Sequence, residues 1–282
     1  MSMDGPRVGF QRGPEGVALL TIDHASNGNA LSTEMSHALL ARLDECLADE
    51  AVRVIVLKGA GRGFSSGADL SRYAPKGRDA NADRLSLLER HVDSCMRLWE
   101  SPKPIIGQVH GYCYGMASLY ASCIDLVYIA EDATVGWPLP LGGGMLGPQW
   151  VYFVGARKAK EYSLIPATNI SGREAADVGW ANQAVPADDL ERYVVDVASR
   201  MARVPMPLLR LKKDAINSVY DRLGFRETLR NAATWNAIGH TIPEIDEVTQ
   251  MMDERGLKQT QQYYREPAPD LLAPTSRGRD VR

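Results

Sequence analysis

The feature that most constrains this chain is the alternation of short, largely apolar runs with segments of helical periodicity. Residues 17–22 (VALLTI), 54–57 (VIVL), 105–109 (IIGQV) and 126–130 (LVYIA) are rich in β-branched and aliphatic side chains. Such runs lack a polar alternate face, which suits strands covered on both sides. Between the first two, Ser32 stands where an N-cap belongs and Glu34 favours the positive end of a helix. Met35, Leu39, Leu43, Cys46 and Leu47 then share one face over residues 33–49. Strand, helix, strand in this order predicts an α/β fold with parallel crossovers. A small-residue segment beginning at Gly111 leaves room for a further helix before the fourth strand.

Residues 78–100 begin polar and become helical, and Pro102 and Pro104 deny the helix a continuation. The early part of that segment is expected to form a mobile lid. After Ala187 the strand signals stop, and residues 188–201, 208–223, 226–240 and 244–255 all fit helices. The expected division is a core over residues 1–204 and a helical region over 205–282, whose last residues, from 266, form a frayed tail of prolines and charges.

Subtracting 35 acidic from 32 basic residues leaves a net charge of −3, which argues against nucleic acid as a partner. No apolar run has the length of a membrane span, and residues 1–16 lack the apolar stretch of a signal peptide, so a cytoplasmic location is expected. Cys46, Cys95, Cys113 and Cys123 form no CxxC pair and are expected as reduced, buried thiols. No cluster has metal-ligand spacing, and none is expected to bind a metal.

Two stretches carry candidate chemistry. Gly59-Ala60-Gly61-Arg62-Gly63-Phe64-Ser65-Ser66-Gly67-Ala68-Asp69-Leu70 follows the second strand, where bare backbone N–H groups can meet a ligand oxygen. It has neither a Walker lysine nor GxGxxG spacing, and a simple connection is the competing reading. His110-Gly111-Tyr112-Cys113-Tyr114-Gly115-Met116-Ala117-Ser118 lies where a strand ends and a helix begins. Unpaired N–H groups of a first helical turn suit a developing anion, although small residues also serve tight packing. Converging on one carbonyl, the two turns would make an oxyanion hole for a thioester enolate.

These stretches resemble the crotonase superfamily, the enoyl-CoA hydratase and isomerase group. Asn29-Ala30-Leu31, Arg62 to Leu70, Gln108-Val109-His110-Gly111-Tyr112, Cys123-Ile124-Asp125-Leu126 and Ile170-Ser171-Gly172-Arg173-Glu174-Ala175-Ala176 carry the likeness. The resemblance implies a crotonase-like ββα spiral core, a C-terminal helical trimerisation region, acyl-CoA ligands, and homotrimers often paired into hexamers. It implies a lyase or isomerase type of activity in fatty acid metabolism, with a coenzyme A thioester as substrate and no separate cofactor. By position, the backbone N–H groups of Ala68 and Met116 would form the oxyanion hole. Ser26, Asn27, Gly28, Ser66, Asp69 and Leu70 would border the coenzyme A.

The departures are as informative. The hydratase pattern Gly-Gly-Gly-x-Glu corresponds to Gly115-Met116-Ala117-Ser118-Leu119, and Phe-Gly-x-Pro-Glu to Val135-Gly136-Trp137-Pro138-Leu139. Both catalytic glutamates are thus replaced by leucine, and Leu119, Trp137 and Leu139 are expected to line the acyl pocket. His91, Asp93, Tyr114, Ser118 and Tyr120 are the candidate substitutes, each set against a packing role. His110 and Asp125 are read as structural, Trp137 and Trp150 as pocket walls. Gly142, Gly143 and Gly144 mark a pliant loop, and Arg255 and Lys258 are candidate phosphate contacts. Three functions stay open: enolate stabilisation in a reaction still to be assigned, a non-catalytic acyl-CoA binder or partner subunit, and a conventional hydratase.

Overall fold

The computed structural model describes residues 5–70, 79–140 and 147–266. Strand β1 (Arg7–Arg12) leads into β2 (Val17–Asp23), helix α1 (Thr33–Ala48) and β3 (Val54–Gly59). Helices α2 (Ala80–Leu87) and α3 (Asp93–Trp99) follow, joined by a π-helical turn over Leu88–Val92. Next come β4 (Ile105–Val109), β5 (Tyr112–Tyr114), α4 (Met116–Ala121), β6 (Leu126–Ala130) and β7 (Thr134–Gly136). The chain continues through α5 (Gly147–Leu164), β8 (Asn169–Ser171), α6 (Gly172–Asp177), β9 (Gln183–Val185) and α7 (Leu190–Ala202). It ends in α8 (Met206–Arg222), α9 (Phe225–Gly239) and α10 (Glu244–Arg265).

The strands form two sheets, in the orders β1-β2-β3-β4-β6-β9 and β5-β7-β8. From β2 to β9 every pairing in the larger sheet is parallel, as the strand–helix–strand order predicts. The chain alternates between sheets, β4 to β5 and β6 to β7, which generates the expected ββα spiral. The strands β4 and β6 coincide with the predicted runs. β4 is buried at every residue, so its side chains have no need of a polar face.

Five further strands were not signalled by pattern: β1, whose residues are mostly exposed at an antiparallel edge, and the three-residue β5, β7, β8 and β9. The segment expected to be helical from Gly111 splits into β5 and then α4, because Gly111 (φ 61°) and Gly115 (φ 51°) break the backbone on either side of residues 112–114. Ser32 caps α1 as expected, its Oγ accepting from Met35 N at 3.2 Å. From Asp79 onward the expected lid segment is a helix capped by Asp79 and packed on α9, where Asp83 meets His240 Nδ1 at 2.6 Å. The glycine loop at 142–144 and the tail beyond residue 266 lie outside the described residues.

One contiguous core spans the spiral and α9, whose Phe225, Leu229, Ala232, Ala233 and Ala237 join it. The apolar residues of α9 are divided: Ala232 is in the core, while Trp235 and Ile238 are exposed. All four cysteines are free and buried. No helix among the described residues is long and apolar enough to cross a membrane.

Helix α8 is tied to the spiral by a largely buried ion pair. Lys213 Nζ donates to Asp125 Oδ2 at 3.0 Å, and the same oxygen accepts from Ile105 N at 2.8 Å. Burial pushes the Asp125 carboxyl up, against the opposing pull of Lys213 and the Ile105 N–H. Asp125 thus braces the start of β4, the turn before β6 and α8 together. Lys213→Met, which strands that carboxylate, is expected to cost about 3 kcal/mol in urea unfolding, and adding Asp125→Asn should recover most of the loss. Equal stability of Lys213→Met and wild type would show that the pair bears no load.

Candidate functional site

The site begins with a buried amide. Asn29, fully buried at φ 58°, accepts from His24 N at 2.9 Å and donates through Nδ2 to Ala60 O at 2.8 Å and Gly63 O at 3.0 Å. It clamps the turn after β2 to the loop after β3. Backbone bonds extend the seam: Leu31 N to Gly67 O at 2.7 Å, Ser66 N to Gly28 O at 2.9 Å, Phe64 N to Tyr112 O at 2.9 Å and Tyr114 N to Ser65 O at 3.0 Å. Both glycine-bearing motifs therefore meet at one place.

There the two turns present their N–H groups. Gly67 has φ 95° and Gly115 φ 51°, a region open to glycine at little cost. A methyl group added at Gly67 would lie 2.5 Å from Tyr114 O and 3.2 Å from Met116 N. Only a residue without a side chain thus lets the turn before Ala68 lie this close to the one before Met116. Met116 itself keeps a negative φ, so its side chain is accommodated where the family pattern has glycine. Among the described residues, neither Ala68 N nor Met116 N donates to a protein acceptor. Two adjacent N–H groups left open in this way suit an incoming oxygen.

The other predicted residues differ in exposure. Ser26, Asn27 and Ser66 are exposed, Gly28, Asp69 and Leu70 half-buried. Gly28 closes the one-turn helix Ala25–Asn27 at φ 60°, and a methyl there would meet Ser66 Oγ at 3.2 Å. Leu119 is 0% exposed within the main core. Leu139 packs elsewhere, in a small cluster with Leu70, Ile245, Val248, Met252 and Tyr264, beneath α10. The two leucines do not share one apolar cluster. Trp137 is half-buried and its ring lies 4.4 Å from that of Trp150.

The candidate proton carriers are mostly committed to packing. Tyr114 Oη pairs with Thr134 Oγ1 at 2.6 Å, and Ser118 Oγ donates to Gly115 O at 2.7 Å. Buried Tyr120 meets Ser36 Oγ at 3.1 Å and, at a long 3.5 Å, His91 Nδ1. His91 lies in the π-helical turn, and burial, aided by Arg90, pushes its imidazole down to about 4. Asp93, Arg255 and Lys258 are exposed, and His110 Nε2 bonds Gly61 O at 3.0 Å. No group of side chains among the described residues has the arrangement of a metal site. Three features escaped sequence reasoning: the Asn29 clamp, the Ser36 partner of Tyr120, and the indole N–H groups of Trp137 and Trp150, which are buried without an acceptor. Only Asn29 left a signal, its place in Asn29-Ala30-Leu31.

Residues 12–256 match the family model described as enoyl-CoA hydratase/isomerase. A probable enoyl-CoA hydratase of Bacillus subtilis (strain 168) is 38% identical over 191 residues, covering 66% of this chain and 71% of that one. Among solved structures, one from Novosphingobium aromaticivorans DSM 12444 shares 34% identity, covers 93% of this chain and 96% of that one, and superposes with a TM-score of 0.87. An enoyl-CoA hydratase/isomerase from Xanthobacter autotrophicus Py2 shares 28% identity over 93% and 99% of the two chains, with a TM-score of 0.85.

The buried imidazole makes a prediction about acid stability. The folded chain holds His91 near 4 against an ordinary 6.5, so between those values the unfolded chain binds a proton that the folded chain refuses. The resulting stability is complete above pH 6.5 and falls away as the pH drops toward 4. Between pH 7 and pH 5, wild type should lose about 2 kcal/mol more than His91→Gln in urea titrations. Parallel losses would show that His91 charges freely inside the fold.

Proposed function

Since the chain belongs to the enoyl-CoA hydratase/isomerase family, we propose that it binds an acyl-CoA thioester and stabilises the derived enolate through the backbone N–H groups of Ala68 and Met116. The observation that carries this reading is the meeting of the Gly67 and Gly115 turns, where neither N–H group has an acceptor among the described residues. A thioester oxygen seated between them at about 3 Å from each receives two hydrogen bonds, which strengthen as negative charge grows on it. Backbone donors are already oriented, so little reorganisation accompanies the reaction. In this reading the coenzyme A thioester is the substrate and no resident cofactor or metal takes part.

Ser26, Asn27, Gly28, Ser66, Asp69 and Leu70 form the rim along which the coenzyme A lies. Leu119, Trp137 and Leu139 stand on the acyl side. The chemistry is of the lyase or isomerase type on fatty acyl thioesters. Water addition by two carboxylates is disfavoured by Leu119 and Leu139, neither of which moves a proton, because each general acid or base contributes about 10²- to 10⁴-fold. The same leucines favour one second reading, a non-catalytic acyl-CoA binder or partner subunit.

Assembly into a homotrimer, with trimers paired into a hexamer, is part of the proposal. Leu208, Leu211, Ile216, Val219 and Leu223 on and after α8 are exposed, as are Trp235 and Ile238 on α9. Apolar surface of this extent asks for cover. Light scattering at low micromolar concentration should return three or six chain masses; a monomer with full acyl-CoA affinity would refute the assembly.

The chemistry is tested with a panel of saturated, α,β-unsaturated and β-keto thioesters, measuring binding and turnover. Hydration of crotonyl-CoA should be far below the enzyme median of about 10 s⁻¹, and a rate at that level would restore the conventional hydratase. Binding without any turnover would favour the non-catalytic reading. Met116→Pro is the sharpest variant, because proline fits the first position of a helix yet has no N–H. Turnover of any processed thioester should drop by about 10²- to 10³-fold with the fold intact.

A further inference from the structure

Two indole N–H groups beside the site are buried with nothing to bond. Trp137 Nε1 and Trp150 Nε1 are both shielded from solvent and lack a hydrogen-bond partner among the described residues. Their rings lie 4.4 Å apart at 49°, and Trp150, fully buried, continues onto Trp180 at 5.5 Å and Tyr162 at 5.9 Å. The rest of this cluster is satisfied. Trp180 Nε1 donates to Ser122 Oγ at 3.2 Å, and the Tyr162 hydroxyl donates to Glu174 Oε1 at 2.7 Å. The unmet donors are therefore the pair that includes Trp137.

Trp137 is anchored next to the reacting centre. It follows Gly136, whose carbonyl accepts from Gly115 N at 2.9 Å, one residue before the Met116 donor. Its own N–H donates to Thr168 O at 3.1 Å, which fixes the backbone from which the ring projects.

Buried polar groups almost always find partners, and an indole N–H can only donate. The missing group is thus an acceptor. A hydroxyl would bring a proton that needs an acceptor of its own. A carboxylate would bring a charge, and the cation recorded on this cluster, Lys158, sits over the Tyr162 ring at 5.2 Å and pairs with Glu161 at 3.0 Å. A keto oxygen brings neither burden. Resting on the thioester reading above, we propose that Trp137 and Trp150 form a two-donor subsite for a keto oxygen on the acyl group. Oxoacyl-CoA thioesters are then the favoured substrates over plain alkyl ones.

The test compares hexanoyl-CoA with 3-oxohexanoyl-CoA and 5-oxohexanoyl-CoA by calorimetry, and follows the indole ¹⁵N–H resonances by NMR. At least one oxo thioester should bind about tenfold tighter than hexanoyl-CoA, as expected when buried donors are left unpaired by the wrong ligand. The Trp137 and Trp150 indole signals should move downfield with the oxo ligand and stay with hexanoyl-CoA. Trp137→Phe should abolish the preference; the NMR readout on wild type stands even where Trp150→Phe fails to fold. Equal affinity for all three ligands, or a preference with unmoved indole signals, overturns the subsite while leaving the thioester reading in place. Binding of none of the three overturns that reading and the subsite with it.

Discussion

The Asn29 side chain is the interaction on which the rest of the site depends. A buried amide offers one acceptor and two donors, and here it bonds His24 N, Ala60 O and Gly63 O, so its polar capacity is used inside the protein. Aspartate would place a negative charge against two carbonyls, and an aliphatic residue would strand His24 N and both oxygens. The position also demands φ 58°, which asparagine tolerates better than most residues. Without this clamp the turns after β2 and β3 would be joined only by backbone bonds, and Gly67 would lose the support that holds it against Met116.

From that clamp the geometry propagates by close approach. Gly63 lies so near Tyr112 that a methyl group would come within 2.6 Å of its ring, and Gly111 so near Arg62 that one would come within 1.9 Å of its carbonyl. These contacts allow the loop after β3 to lie flat on β5, which brings Gly67 to the turn at Gly115. The Gly115 N–H is then consumed by Gly136 O, so the next donor, Met116 N, is the one left open. The position of the candidate donors follows from steric necessity at the neighbouring glycines.

How much of this was legible in the sequence depended on whether a residue's role is local. β2, β3, β4 and β6 announced themselves because strands covered on both faces must be apolar throughout, and α1 because its cap and stripe are local signals. β7 and β8 have three residues each, too few for any period, and owe their existence to pairing with each other and with β5. Ala68 and Met116 were reached through the family resemblance, since a backbone N–H leaves no side-chain trace. The separate burial of Leu119 and Leu139 could not be read from register alone: α10 covers Leu139 through contacts about a hundred residues away in sequence. The unmet indoles were equally silent, because the lack of a partner is a property of the packed state.

A carboxylate in place of Leu119 or Leu139 would meet two different apolar surroundings. Leu119 contributes to the main core and Leu139 to the cluster under α10. A glutamate at either position would be desolvated, and burial raises a carboxyl's pKa toward the neutral form. A useful general base needs that rise held to the range near neutrality, which requires donors placed around it. Around Leu139 the cluster of described residues supplies Leu70, Ile245, Val248, Met252 and Tyr264. The described cover of Leu139 is therefore apolar, and a carboxylate there would need new donors on α10. Leucine at 139 and the apolar face that α10 lays over it are thus matched by packing, and neither can change in polarity without the other.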